Sequence, residues 1–246
     1  MARYNSGFTI IETTLVLAIT GLIIAVILTG IGNSLRHQRY TDAINQATDF
    51  FRGQFTGTAN VVNERPRGET CSSGGFLPAD PTAVGATPGT SECLLLGRII
   101  RSTDGENISV SQIVALHDPT DDPNASDLTD RELLTAAQLR QGNEIQNYRL
   151  EWGTRLRQPG SDDSAAFTLL IVRTPISGTI RTFSSTSGTE PLTGLLSAPE
   201  ATASNLRLCI DQTGFFGVGV APMGIAVAKD ATNTTGVQVI PSGDCV

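Results

Sequence analysis

The stretch GFTIIETTLVLAITGLIIAVILTGIG, residues 7 to 32, is apolar over a length that leaves a chain very few ways to fold. From Phe8 to Ile31 the only ionisable side chain is Glu12. About 24 residues at about 1.5 Å each make a helix of about 36 Å, enough to cross hydrocarbon about 30 Å thick. Residues 8 to 33 are therefore a transmembrane helix candidate. An ionised carboxylate inside such a span costs roughly 2.5 to 3.5 kcal/mol on insertion scales, so Glu12 needs a partner that the apolar run cannot supply.

The seven residues before the run, Met1 to Gly7, are polar and carry Arg3. A secretory signal would place its cleavage site after the apolar segment; here a polar leader precedes it. Past the span, Tyr40, Ile44, Ala47, Phe51, Phe55, Ala59 and Val62 recur at steps of three and four, one apolar helix face. Arg39, Asp42, Asn45, Gln46, Asp49 and Arg52 fall on the opposite face, and Pro66 with Gly68 supplies a stop. The expectation is one long helix over residues 8 to 63. Its first half is bare, its amphipathic second half (34 to 63) packs on a following domain, and Gly53 and Gly57 weaken its last turns.

Gly7-Phe8-Thr9-Ile10-Ile11-Glu12 followed by the apolar helix resembles the class III signal of type IV pilins and pseudopilins. The resemblance covers about the first 55 residues. It implies a membrane-embedded prepilin peptidase that cuts between Gly7 and Phe8, removing leader residues 1 to 7 and leaving an N-methylated Phe8. It implies further that Glu12 pairs with the amino terminus of Phe8 in a neighbouring subunit and sets the register of a filament. The implied partners are other pilin subunits, the peptidase and an inner-membrane assembly platform.

Physical chemistry is consistent with that role for Glu12. Attraction between a carboxylate and an ammonium grows as water is removed while desolvation opposes it, so such a pair favours register over raw affinity. Two local alternatives stand beside it. Thr9 with Glu12 fits a capping box, and a first-turn glutamate suits the helix dipole and is placed to bond its own chain's amine at Phe8. Ala18, Gly21 and Ala25 share a face that permits close approach of neighbouring helices.

Residues 64 to 246 read as a β-rich extracytoplasmic domain, and the fold class as α+β: a long helix against an antiparallel sheet. The segment from Thr70 to Cys93 reads as a surface loop. Strand patterns occur at 93–100, 108–116, 146–152, 167–173, 179–184, 206–210, 215–221, 224–228 and 236–240. Thr129 and Glu132 form a capping box before LLTAAQLRQ, with Gly142 placed to close that helix.

Lys and Arg number 17 against 24 Asp and Glu, for a net charge of -7, which disfavours nucleic acid as a partner. Four cysteines admit three pairings. Cys71 with Cys93 and Cys209 with Cys245 is preferred because each pair brackets one loop-rich stretch, closing loops of about 22 and about 36 residues. The histidines are His37 and His117 alone, and His37 adjoins the span, so no catalytic group is expected. Asp118, Asp121, Asp122, Asn124 and Asp127 are hard oxygen donors of the kind calcium takes, but their spacing is not an EF-hand loop. A solvated turn is the weightier reading, and no cofactor or metal is expected.

The resemblance thus implies a pilin-like structural subunit of a type IV pilus or type II secretion-like filament, in the membrane before assembly and at the cell surface after it, and the size of the globular part leans toward a minor pilin or pseudopilin. The alternative is a single-pass surface-anchored binding protein or adhesin that does not polymerise.

Overall fold

The computed structural model describes residues 9–61, 70–72, 75–77, 94–116, 125–198, 204–211 and 222–245. It shows an α+β fold: one long helix and antiparallel sheets. Helix α1 runs unbroken from Ile10 to Ala59, 50 residues. Its apolar stripe works as spaced: Tyr40, Ile44, Ala47, Phe51 and Phe55 are all buried, joined by Ala43 and Phe50. Arg39, Asp42, Asn45, Gln46, Asp49 and Arg52 face outward. Ala59 departs from the expected stripe: it is the last residue of α1 and is exposed. Val62 lies outside the described residues, as do Pro66 and Gly68.

The five-stranded sheet has the order β5-β4-β3-β7-β8, from Leu139–Arg149, Asn107–Ala115, Leu94–Ser102, Phe167–Arg173 and Ile180–Ser185. Every neighbouring pair is antiparallel. One face, including Ile100, Val110, Phe167, Leu169 and Ile171, packs under α1. The other face, with Ile99, Ile113, Leu170 and Val172, is covered by α2 (Asp130–Ala136) and α3 (Leu192–Ser197). Burial on both faces is why the central strands read as continuous apolar runs such as FTLLIV.

A second sheet of four strands, β11-β10-β9-β6, also packs against α1. It comprises Val237–Ile240, Gly224–Val227, Leu206–Ile210 and Leu156–Arg157. The expected single sheet is thus corrected, among the described residues, to two large sheets that both lean on one helix, besides a two-stranded hairpin. Two-residue β6 pairs with β9 about fifty positions away, a backbone partnership without a side-chain pattern. The expected strand at 215–221 lies outside the described residues.

Three further expectations change. The expected helix opens at the Thr129–Glu132 capping box, both halves of which are made, but stops sooner: α2 ends at Ala136 and leaves through Gln138 at φ 50. Gly142 therefore closes no helix; it lies within β5. That strand, expected only over 146–152, begins at Leu139 as a mostly exposed edge strand, where backbone pairing to β4 rather than apolar alternation sets its course. The loop beginning at Thr70 contains a small hairpin, β1 (Thr70–Ser72) with β2 (Gly75–Leu77).

The preferred carboxyl-terminal disulfide is present: Cys209 and Cys245 join at a Cα separation of 5.6 Å and enclose β10 and β11. Cys93 and the side chain of Cys71 lie outside the described residues.

Candidate assembly site

The first thirty residues of α1 lie outside the fold. Between Ile10 and Arg39 no described side chain is buried; the core begins at Tyr40. Ile10 is 82% exposed and Leu17 71%, and the surface stays apolar through Leu35. This is the one helix among the described residues long and apolar enough to cross a membrane.

Four threonines on this length bond back to their own helix. Thr13 and Thr14 donate to the carbonyls of Ile10 and Ile11 at 2.9 Å each; Thr20 and Thr29 donate to Val16 and Ala25 at 2.8 and 2.9 Å. Hydroxyls that back-bond to their own helix place no demand on an apolar surrounding. Glu12 differs. Its backbone N–H donates to the Thr9 hydroxyl at 3.3 Å, but among the described residues its carboxylate has no hydrogen-bond or ion-pair partner.

The Thr9–Glu12 capping box is therefore only half made, in contrast with α2. There the Glu132 carboxylate accepts from the Thr129 N–H at 2.8 Å and the Thr129 hydroxyl at 2.7 Å, and these bonds hold its pKa below the usual glutamate value. The same four-residue pattern thus turns its glutamate inward in one helix and leaves it outward in the other. Gly7 and Phe8, the expected cleavage and methylation positions, lie outside the described residues, so an intrachain bond from Glu12 to Phe8 does too. A Cβ added at Gly21 would meet nothing within 4 Å, so that face is open to a neighbouring helix.

No family model, curated protein or solved structure matches this chain.

Where α1 enters the domain it is pinned. The Tyr40 hydroxyl accepts from the Met223 N–H at 2.8 Å and donates to the Ile210 carbonyl at 3.2 Å, tying the helix to β9 and the start of β10. Farther along, Arg98 of β3, 5% exposed, donates to Gln54 at 2.8 Å, and Gln54 donates to Gln146 of β5 at 3.1 Å. Sequence reasoning missed this layer. Its signal was Gln54 beside Phe55 on the buried stripe, three residues before a glycine: a Cβ on Gly57 would stand 2.3 Å from the Arg98 guanidinium carbon. Gly57, expected to weaken the helix, is the gap that admits a guanidinium beneath it.

The acidic cluster at Asp118, Asp121, Asp122 and Asn124, and the Asp127 side chain, lie outside the described residues. So does His117, while His37 is exposed on α1. A cleft of about 560 Å³ lies elsewhere, between α2, β8 and the Lys229–Asp230 turn. Arg181 pairs with Asp130 across it at 2.7 Å, and Arg131 lies over the Phe183 ring at 5.1 Å. Its lining balances Arg131, Arg181 and Lys229 against Asp130, Glu190 and Asp230, which suits a polar ligand of little net charge.

Proposed function

We propose that this chain is a pilin-like structural subunit, held in a membrane by α1 and assembled through that helix into a type IV pilus or type II secretion-like filament. Prepilin peptidase removes residues 1 to 7, Phe8 is methylated, and an inner-membrane platform extracts the subunit. The observation that carries the reading is Glu12: on a helix surface where the neighbouring hydroxyls are satisfied in place, one carboxylate points outward with no partner among the described residues. In lipid that is an unfavourable state, and the amino terminus of a neighbouring copy relieves it. The domain's two sheets clasp the helix only from Tyr40 onward, leaving the preceding thirty residues for packing against other copies.

Glu12→Ala tests this. The variant is expected to be cleaved after Gly7, as read by intact mass, yet to be absent from filaments. Normal incorporation would remove Glu12 as the register determinant, and a mature chain that still begins at Met1 would remove the processing step. A non-polymerising surface-binding protein is the second reading. It is favoured by the cleft at Asp130 and Arg181, and it predicts that purified surface filaments lack the chain.

A further inference from the structure

The chain has a single tryptophan, and its placement is unusual. Trp152 sits in a 3-10 turn, Glu151–Gly153, directly after β5. Its backbone is left-handed at φ 61, ψ 20, a conformation that a bulky residue adopts only at an energetic cost. The cost does not take the ring into the core, because Trp152 remains 48% exposed. What the turn does achieve is position: the ring lies beneath the Arg39 guanidinium, 4.9 Å from its centroid, at the point where α1 leaves the domain.

The helix fixes what this point faces. Residues 13 to 35 contain no charged side chain, and Arg36 is the first after Glu12. On a membrane-spanning α1, Arg36 therefore marks one edge of the hydrocarbon, with Glu12, about 36 Å away along the axis, at the opposite edge. Arg39 is three residues on, about 4.5 Å along the axis, within a headgroup layer roughly 5 to 8 Å thick. Indole rings favour that layer, since the ring prefers the boundary and its N–H finds a polar partner there. Arg36 and Arg39 are the cations nearest the bilayer, with Asp42 less than one turn farther along α1 and Glu151 beside Trp152. Tyr40, locked to Ile210 and Met223, holds the domain rigidly at this height.

We propose that the Trp152–Arg39 pair is a phospholipid-headgroup contact that seats the globular domain on the bilayer before assembly, its ring at the interface and its guanidinium on lipid phosphate. This rests on the membrane-spanning reading of α1. It gives the unassembled subunit a fixed height and tilt, so that Glu12 is presented at one depth, and it is a contact that extraction into a filament must break.

The single tryptophan makes the test direct. The full chain is reconstituted in vesicles of zwitterionic and anionic phospholipid, recovered by flotation, and its tryptophan emission compared with vesicles containing lipid brominated high or low on the acyl chain. The expected result is a blue-shifted emission that loses intensity with the shallow bromines and much less with the deep ones; a Trp152→Phe chain gives the baseline. Arg39→Glu should still float with the vesicles but lose most of that quenching. A chain that floats with vesicles while its emission is unaffected by either bromine overturns the contact and leaves the spanning helix standing. A chain that does not float overturns both. Unchanged quenching in Arg39→Glu overturns the part given to Arg39.

Discussion

The Tyr40 hydroxyl stands 2.8 Å from the Met223 amide, so the residue at which the long helix enters the core is also the one that bonds it to the four-stranded sheet. Tyr40→Phe keeps the ring and removes the bond, leaving a part-buried N–H and the Ile210 carbonyl short of a partner. The expected loss is about 1–3 kcal/mol, which in a domain of this size lowers the melting temperature by roughly 2–4 °C per kcal/mol. Thermal unfolding in detergent measures it.

Gly53 and Gly57 are alike in sequence and opposite in surroundings. A Cβ at Gly53 has nothing within 4 Å, whereas one at Gly57 meets the Arg98 guanidinium at 2.3 Å. Gly53→Ala should stabilise α1 by about 0.5–1 kcal/mol, the ordinary helix-propensity gain. Gly57→Ala should instead destabilise by about 1–3 kcal/mol, since a buried side chain bonded to Gln54 has to move. Denaturant midpoints of the two variants, read side by side, check the sign of each.

The Cys209–Cys245 bridge encloses β10 and β11, two strands that α1 packs upon. Replacing both cysteines by alanine should cost about 2–4 kcal/mol. Because β9 and β10 carry the Tyr40 contacts, the loss is expected to show as earlier proteolysis near that sheet than in the five-stranded one. Limited digestion with fragment masses distinguishes local from uniform loosening.

Asp104 caps the turn between β3 and β4. Burial works to raise its carboxyl, but hydrogen bonds from the Asn107 side chain and from the amides of Asn107 and Glu106 outweigh that and hold it below its ordinary value of 3.8. A carboxyl lowered by folding adds stability that is complete above its unfolded value and lost as pH falls through the folded one. Glu132 is shifted in the same direction by Thr129. Stability should therefore decline below about pH 4, and Asp104→Asn should flatten part of that decline, as followed by unfolding at stepped acid pH.

What the sequence made legible was periodic or continuous. The stripe from Tyr40 to Phe55 repeats every three or four residues because one helix face is buried, and FTLLIVR stands out because both faces of its strand are. What escaped was set by distant backbone. Strand β6 is two residues whose partner is β9, and the polar start of β5 is held by β4 rather than by an apolar side. The division into two sheets follows from those pairings, so no local pattern announced it. Arg98 escaped for another reason: a charge inside a strand reads as solvent-facing until the helix above it is known to carry Gln54 and a glycine. At the site itself, Thr9-x-x-Glu12 and Thr129-x-x-Glu132 are the same pattern with different outcomes, and only the direction each carboxylate takes in the fold separates them.

The central claim is that Glu12 finds its counter-charge on another copy. A helical reconstruction of native filaments purified from the cell surface tests it most directly. The account predicts filaments containing this chain from Phe8 onward, with the Glu12 carboxylate within ion-pair distance of the Phe8 nitrogen of an adjoining subunit. Filaments in which that carboxylate lies far from every neighbouring amino terminus, or which lack the chain altogether, would contradict it.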